Sequence, residues 1–364
     1  MAVRTGLSLM PTADFAAAAF PLLEQGTVDV LEWGPDVSEG PGRGSPDWLA
    51  MLVAHYARHG ALVGHGVTGL VLSVGAADAF DVWLAELSAA VSDIPMGSFS
   101  EHLGFSGTAS WAVTPPLPIR PDRATIACGV DRLARIRDVV DAPVGLENLA
   151  LAVSQRDLDG RGALLEALLA PVDGFLHLDL HNLWCAAVNF GRDPVALMER
   201  YPLHRVLRIH LSGGSWSTPP GGSRPFRRDT HDDVVPDEVH ALLPEALSRC
   251  AAAQDVILEQ IGGTLDAEAF HADYGRIRRA VAQAEGSMTV PEPPDREGAS
   301  GVVASPGAVD AASGGDSDHD AAGWQDAFAT ALAGGDAWAG WPEDLDPDAA
   351  KVARALLGRW GRRA

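Results

Sequence analysis

The feature that most constrains the fold of this chain is a repeated alternation of short apolar runs with longer amphipathic stretches. It continues from the first residues to about residue 285. The apolar runs predict eight strands, at residues 6–10, 28–33, 62–65, 97–103, 144–147, 174–179, 206–210 and 256–259. The stretches between them have helical periodicity, most plainly at residues 46–59, 76–91, 129–140, 158–169 and 236–252. Such alternation predicts a parallel sheet covered by helices.

Eight strand–helix units within this length predict a closed (β/α)8 TIM barrel, an α/β fold. An open doubly wound sheet is the alternative. It has less support, because the first strand is not followed by the Gly-rich phosphate loop that is typical of that fold. The barrel prediction also says where to look for function, because active sites of such barrels lie at the carboxyl ends of the strands.

The composition changes after the barrel. We expect residues 1–285 to form the barrel domain and residues 286–322, rich in Pro, Gly, Ser, Ala and Asp, to form a flexible linker. Residues 323–364 are expected to form a short helical tail, whose large aromatic residues are Trp324, Phe328, Trp338, Trp341 and Trp360. A segment of about 40 residues buries little surface by itself, so the tail is expected to dock on the barrel or on a partner, and a weakly ordered tail is the alternative.

The overall charge restricts the class of partner. The formal net charge is −22, from 49 Asp and Glu against 27 Lys and Arg. This disfavours nucleic acid, because phosphate binding needs a positive field, and it suits cations or a neutral or basic peptide. The three cysteines are widely spaced, which indicates neither a CxxC metal site nor a disulfide framework. We find no signal-peptide pattern and no long apolar span, so we expect a cytoplasmic protein.

Nearly every predicted strand has a histidine, an aspartate or a glutamate as one of its last two residues. Charged side chains inside a barrel mouth are costly unless they are paired or bound to metal. The candidate metal ligands at these ends and in the loop after the seventh strand are His65, His102, Glu147, Asp179, His181, His210, Asp229, His231 and Glu259. Imidazole and carboxylate without thiolate suit iron, manganese or zinc. So many ligands exceed what one ion needs, which predicts at least two ions.

Side-chain alternation indicates which residues near these candidate ligands point toward the barrel mouth. Residues two apart face the same side of an extended chain, so His177, Asp179 and His181 are expected to share one face. Asp179 and His181 then point at the barrel mouth, and His177 lies one layer deeper as a structural residue. Glu101 and His102 face opposite sides, so only one of them is expected to bind metal.

The strand-end motifs occur in a specific order. They are SEHL at 100–103, EN at 147–148, DLHN at 179–182, HLSGG at 210–214, and DTHD at 229–232 followed by VPDEV at 235–239. Each motif is weak alone, but the ordered set resembles the multinuclear non-haem iron-dependent oxidative enzymes, the MNIO family, which modify ribosomally made peptides. The resemblance covers about residues 5–265, and no ligand position is missing.

The resemblance implies two or three iron ions in mixed-valent Fe(II)/Fe(III) form. One ion would be held by His65 and His102, with Glu147 bridging to the second. The second would be completed by Asp179, His210 and Glu259. A third would be held by His181, Asp229 and His231. Five further residues are candidates for substrate binding, namely Asn148, Asn182, Ser212, Gly213 and Glu32.

The chemistry that the resemblance implies is dioxygen-dependent oxidation of a precursor-peptide side chain, such as Cys or Asp, during natural-product maturation. Family members commonly act with a small partner protein that binds the leader part of the peptide. The aromatic tail is a candidate to replace or to bind such a partner. Two alternatives remain at this point. One is an endonuclease IV-like or isomerase-like zinc or manganese hydrolase on the same barrel, and the other is a non-catalytic peptide-binding scaffold.

Overall fold

The computed structural model describes residues 2–36, 46–261, 265–287, 321–334 and 343–363. Eight parallel strands close into a barrel in which each strand pairs with the next along the chain and the last returns to the first. The strands are β1 Arg4–Ser8, β2 Val30–Trp33, β3 Leu62–His65, β4 Phe99–His102, β5 Val144–Glu147, β6 Phe175–Asp179, β7 Val206–Leu211 and β8 Asp255–Leu258. The predicted TIM barrel is confirmed, and each predicted strand overlaps an observed one.

Helices cover the outside of the barrel. They are α1 Ala13–Glu24, α2 Asp47–Arg58, α3 Ala77–Val91, α4 Arg123–Val140, α5 Gln155–Leu169, α6 Leu180–Asn189, α7 Pro194–Met198, α8 Asp237–Arg249 and α9 Ala267–Ser287. Short 3-10 turns lie at Ala170–Val172 and Leu203–Arg205. Helix α4 begins six residues before the predicted start at 129, because the Asp122 side chain accepts a hydrogen bond from the Thr125 amide and so caps the first turn.

The barrel has two kinds of interior. Between the sheet and the helices lies a large apolar core. Inside the sheet, Val30, Val63 and Ile257 form a small separate apolar layer. Each of these three stands two residues before a polar residue of the same chain segment, so the next layer toward the carboxyl face is polar.

Short antiparallel strands lie outside the barrel. Phe105–Gly107, Trp111–Leu117 and Arg362–Arg363 form a three-stranded sheet, so the end of the described chain pairs with the loop after β4. Trp216–Ser217 and Phe226–Arg227 form a hairpin in the loop after β7. Both loops follow strand ends and therefore build up the carboxyl face. Among the described helices, none combines the length and apolar character needed to cross a membrane.

The predicted helical tail is present as α10 Ala321–Gly334 and α11 Pro347–Trp360. It docks on the barrel: Phe328 of α10 is buried and meets the ring of Phe105 edge-on at 6.2 Å. Gln325 donates to the Leu72 carbonyl and accepts from the Val74 amide. Most of the predicted linker, residues 288–320, and two of the tail tryptophans, Trp338 and Trp341, lie outside the described residues.

Candidate metal centre

The barrel register brings the candidate ligands of neighbouring strands side by side. His102 at the end of β4 is paired with Glu147 at the end of β5. Asp179 at the end of β6 is paired with His210 of β7. All four side chains lie on the interior-facing positions of their strands, since every second residue of a strand points inward. The strand ends therefore converge on one polar site at the carboxyl face.

The first group of donors consists of His65, His102 and Glu147, whose donor atoms all lie within 4.8 Å of one another. The Glu147 Oε2 atom is 3.1 Å from Nε2 of His65 and 3.0 Å from Nε2 of His102. The other ring nitrogen of each histidine faces a fixed partner: Nδ1 of His65 is 2.9 Å from the Ser100 hydroxyl, and Nδ1 of His102 is 3.2 Å from the Gly66 carbonyl. Both rings thus present Nε2 to the site.

The second group consists of Glu147, Asp179, His210 and Glu259, again with donor atoms within 4.8 Å of one another. Nδ1 of His210 lies 3.1 Å from Glu259, 3.7 Å from Oε1 of Glu147 and 3.9 Å from Asp179. Glu147 therefore turns one carboxylate oxygen to each group. This arrangement suits a carboxylate that bridges two ions.

The remaining three candidates, His181, Asp229 and His231, form a looser set around Asp229. Its Oδ1 atom contacts Nε2 of His231 and lies 3.5 Å from Nδ1 of His181. Nδ1 of His231 is 3.4 Å from Glu259, which links this set to the second group. The backbone of His231 has a φ of 51°, a left-handed conformation that non-glycine residues seldom adopt outside turns and functional sites.

Several of these buried donor atoms have no hydrogen bond to any residue that the structure describes. They include Oε2 of Glu147, Oδ2 of Asp179, Nδ1 of His210 and Oδ1 of Asp229. Buried polar atoms are normally satisfied, so a cluster of unsatisfied atoms that face one another needs an explanation. Metal ions would satisfy them all, and the donor set of imidazole and carboxylate fits iron, manganese or zinc.

The pKa values of the buried groups also indicate a site that needs positive charge. Burial raises the pKa of Asp179 well above its ordinary range, and the negative charges of Glu147 and Asp229 add to this effect. Burial also opposes charge on Glu147, but His102 and His65 outweigh it and hold its pKa at about 2. The pKa of His210 is raised well above its usual value, because Glu32 and Glu259 outweigh the burial of the ring. The carboxylates thus need positive charge nearby. In the metal-free protein, protonated histidines supply that charge, and in the metal-bound protein the cations supply it.

A fully buried charged layer lies directly below the donors. Arg208 forms an ion pair of 2.7 Å with Glu32 and donates to the Gly64 carbonyl and to the hydroxyl groups of Ser98 and Ser100. Because Arg208 already neutralises Glu32, this layer is a poor metal site, although Glu32, His177 and His210 offer three donor atoms there. His177 lies in the same layer, with Nδ1 3.0 Å from the Ser100 hydroxyl.

Glu32 was a candidate for substrate binding, and the structure places it in this layer with no exposed surface. Its Oε1 atom is 2.8 Å from Nε2 of His210. The Glu32 carboxylate thus lies against one ring nitrogen of His210, while Nδ1 faces the donors of the second group. Burial would raise the pKa of Glu32, but the charges of His210 and Arg208 hold it at about 2.

The other four candidates for substrate binding also have partners inside the protein. Asn148 donates to the Asp179 carbonyl and accepts from the Asp179 amide, at 3.0 and 2.9 Å. Asn182 donates to the Asn148 carbonyl, and the Ser212 hydroxyl is 3.1 Å from Nδ1 of His181. Gly213 lies so close to the Val234 carbonyl that a side chain would clash. Asn148 and Ser212 thus contact candidate ligands directly, Asn182 contacts the chain beside one, and Gly213 packs against the loop that follows His231.

One expectation about the ligands is wrong. Asp179 and His181 do not share a face of one extended segment, because β6 ends at Asp179 and α6 begins at once. The Asp179 carboxylate accepts a hydrogen bond from the Asn182 amide, so it caps the helix. His181 reaches the site from the first turn of that helix instead.

Sequence reasoning missed Arg208 and Cys185. Arg208 had a readable signal, since a charged residue stands in an apolar strand two positions before His210. Cys185 had none: its thiol lies 3.4 Å from Nε2 of His181 because both are on α6, one turn apart. Glu101 is buried beside Gly66 and Gly69 and takes no part in the donor groups found among the described residues.

Solved structures similar to this chain include other enzymes with low sequence identity. An L-ribulose 3-epimerase has a TM-score of 0.49 and 13% identity, over 80% of this chain and 100% of that chain. Endonuclease IV from Thermus thermophilus has a TM-score of 0.48 and 16% identity, over 77% of this chain and 99% of that chain.

Sequence relatives are closer. A UPF0276 protein of Caulobacter vibrioides is 32% identical over 187 residues, which are 51% of this chain and 64% of that protein. A UPF0276 protein of Anaeromyxobacter is 29% identical over 224 residues, 60% of this chain and 75% of that protein. The match thus spans slightly less than two thirds of the first relative.

A family model described as "RiPP precursor modification enzyme MbnB/TglH/ChrH" matches residues 24–282, most of the chain and nearly all of the barrel. RiPPs are ribosomally synthesised and post-translationally modified peptides. The match contains all nine candidate metal ligands and ends before the helical tail. The chain therefore belongs to the MbnB/TglH/ChrH family of RiPP precursor modification enzymes.

Proposed function

We propose that this protein is an iron- and dioxygen-dependent enzyme that oxidises a side chain, such as Cys or Asp, of a ribosomally made precursor peptide. The observation that carries the proposal is the position of Glu147. It turns one oxygen to His65 and His102 and the other to the group around His210. A shared carboxylate between two donor groups suits a multinuclear centre, and family membership supplies the class of substrate.

Two or three ions would be held by the nine ligands in the distribution that the resemblance implies. The first two sites correspond to the compact groups that meet at Glu147. The third corresponds to the looser set around Asp229. Bound iron supplies one-electron redox chemistry and coordination positions where dioxygen and the substrate side chain can meet.

The chain's own residues orient this centre. The Gly66 carbonyl accepts from Nδ1 of His102 and so directs Nε2 to the metal side. Glu32 lies 2.8 Å from the opposite nitrogen of His210, Nε2, and so leaves Nδ1 on the metal side. Such outer contacts fix the tautomer and the ring angle of a metal-bound histidine. The buried ion pair of Glu32 with Arg208 keeps this support rigid.

A peptide substrate also agrees with the charge of the chain. At −22 the protein would repel a nucleic acid, whereas a neutral or basic peptide would be attracted or unaffected. We further propose that a small partner protein binds the leader part of the precursor peptide, as the family resemblance implies. The proposed location of the protein is the cytoplasm.

The proposal is tested by metal analysis after iron-replete expression and anaerobic purification. We expect two or three irons per chain, and we expect Glu147→Gln and His102→Ala each to lose iron and peptide-modifying activity. His204→Ala is the matched control, because that histidine is exposed and precedes β7, at the end of the strand opposite to the ligands. Activity is measured as a mass change of a co-expressed precursor peptide with and without dioxygen.

Two results would contradict the proposal. One is a colourless protein that holds only zinc after iron-replete expression. The other is modification of the peptide at an equal rate without dioxygen. Either result would favour the alternative of a zinc or manganese hydrolase on the same barrel, since hydrolysis needs neither iron nor oxygen.

A further inference from the structure

A small cavity of about 90 Å³ lies beside the metal centre at the carboxyl face. Two candidate ligands, His102 and Asp229, line it. The apolar part of its wall comes from the loops after β4, β5 and β7 and from the tail helix α11, through Pro116, Leu149, Leu151, Phe226, Val352 and Leu356. The cavity thus lies between the candidate metal centre and a helix outside the family match.

Val352 and Leu356 lie on one face of α11, because they are four residues apart in a helix. Val352 is buried against Phe226, and Leu356 packs on the same apolar cluster while remaining half-buried. Leu356 therefore lies where the cavity wall approaches solvent. Among the described residues it packs on the small apolar cluster around Phe226 and not on the main core.

Helix α11 is fastened to two loops of the carboxyl face. Asp348 accepts hydrogen bonds from the amide and the hydroxyl of Ser223, and Asp346 pairs with Arg224 at 2.8 Å. On the other side, the Asp346 amide donates to the Val153 carbonyl, and Asp344 accepts from the Arg156 amide. These bonds tie the helix to the loop after β7 and to the chain after β5, so the wall has a fixed position.

The cavity has polar groups suited to a short acidic or thiol side chain. Arg227 and Arg228 line it together with Asp229, and the Nε atoms of both arginines lack a hydrogen-bond partner among the described residues. The Arg227 guanidinium also lies over the Trp184 ring, at 5.1 Å from its centroid. A guanidinium group can balance the charge of a carboxylate or a thiolate. The volume corresponds to about three water molecules of liquid, which leaves room for a side chain of a few non-hydrogen atoms.

We propose that α11 forms one wall of the channel through which the substrate side chain reaches the metal centre, and that Val352 and Leu356 limit that side chain to the size of Cys or Asp. The inference rests on the proposed function for the identity of the substrate. It goes beyond the family, because the two residues lie after residue 282, where the family match ends. Specificity would then be set partly by the tail of this particular chain.

The width of the cavity can be measured without metal or substrate. Ala150 lines the cavity and is half-buried, so Ala150→Cys places a thiol in it. We expect Leu356→Trp in this background to slow labelling of the introduced thiol by the bulky reagent fluorescein maleimide at least tenfold. Labelling of the same thiol by the small reagent methyl methanethiosulfonate should be slowed less. Leu356→Ala should instead speed labelling by fluorescein maleimide. The parent chain with Cys128, Cys185 and Cys250 gives the background rate.

Arg359→Trp is the matched control for bulk, because Arg359 is an exposed residue of the same helix and does not line the cavity. It should leave both labelling rates unchanged. Equal labelling rates in Leu356→Trp, Leu356→Ala and the Ala150→Cys parent would overturn the inference. Leu356→Ala keeps the test valid if the tryptophan variant folds poorly.

The second arm uses iron-loaded protein and simple thiols. Binding is followed by the visible thiolate-to-iron absorption, with methanethiol as the narrow probe and benzyl mercaptan as the wide one. We expect the wide probe to bind Leu356→Ala at least tenfold more tightly than the unsubstituted protein, and the narrow probe to bind both equally. If iron binds but this preference is unchanged, the channel inference is wrong and the proposed function stands. If the labelling rate depends on the size of the side chain at position 356 but no iron binds, α11 does form the cavity wall and the proposed function is wrong.

Discussion

Replacing Glu32 with glutamine tests whether the layer below the metal centre is a structural support. Glu32 and Arg208 form an ion pair of 2.7 Å, and neither side chain has exposed surface. Glutamine keeps the shape and one carbonyl oxygen, so it preserves the packing beside His210. The charge is what the substitution removes. Arg208 then remains buried without its counter-ion.

The magnitude follows from this burial. Removing one partner of a buried ion pair destabilises a protein by about 3–5 kcal/mol, because the remaining charge is uncompensated. Arg208 keeps its hydrogen bonds to Gly64, Ser98 and Ser100, which moderates the loss, so we expect about 3 kcal/mol for Glu32→Gln. Arg208→Met should cost at least as much, because it loses those bonds as well. The double variant removes both charges and should be less destabilised than the sum of the single variants by about 2 kcal/mol or more.

The assay is urea unfolding of metal-free protein followed by circular dichroism, with the midpoint compared at constant slope. Iron content after reconstitution is measured in parallel, and loss of this outer support should weaken iron binding by about 10–100-fold. The reasoning is refuted if the single variants lose less than about 1 kcal/mol, or if their effects simply add. Unchanged stability with weaker binding of the precursor peptide would instead restore Glu32 as a substrate-binding residue.

Three further predictions concern the same scaffold. Gly162→Ala should destabilise the protein by about 1–3 kcal/mol, because the added Cβ would press on the Arg200 carbonyl. Gly160→Ala on the same helix is the control: its Cβ meets nothing within 4 Å, so it should stabilise the protein by about 0.5–1 kcal/mol. Thermal unfolding measures both changes. Asp346→Ala removes the cap of α11 and should speed hydrogen exchange of that helix by about fivefold or more, as expected for about 1 kcal/mol, with exchange in α5 unchanged. Gly214→Ala would press a Cβ on the Arg228 carbonyl and place it 2.9 Å from the His181 ring, so it should displace both His181 and the loop that carries Asp229. We expect the protein to lose the iron held by that set while the other sites stay filled, which metal analysis checks.

The fold could be predicted from the sequence because each strand of a TIM barrel carries its own local signal. The apolar runs at β3 and β5 predicted both strands with the same first and last residues that the structure shows. Helix α6 was missed because it follows β6 with no intervening turn residues, and its apolar composition continues that of the strand. Local pattern cannot separate a buried strand from a buried helix when no Gly or Pro lies between them.

The site could be predicted only where alternation holds. It separated His102 from Glu101, since the two face opposite sides of β4, and His102 is the one whose donor atom meets Glu147. It failed at His181, where the backbone is helical. It also gave no way to find the cavity wall, because Leu356 and Asp229 are far apart in sequence and meet only after the tail docks. Long-range packing of this kind leaves no periodic signal in one sequence.

The order of layers inside the barrel explains how so many charges can be held in one place. Val30, Val63 and Ile257 form an apolar layer in the lower part of the interior, below the charged layer. Above them, Arg208 neutralises Glu32, and Glu32 in turn faces His210 of the donor groups. Each layer thus compensates part of the charge of the next, and among the described residues the uppermost carboxylates pair with histidine rings only. Their compensation must come from protons or from metal, so the barrel's stability and its metal content are expected to rise and fall together.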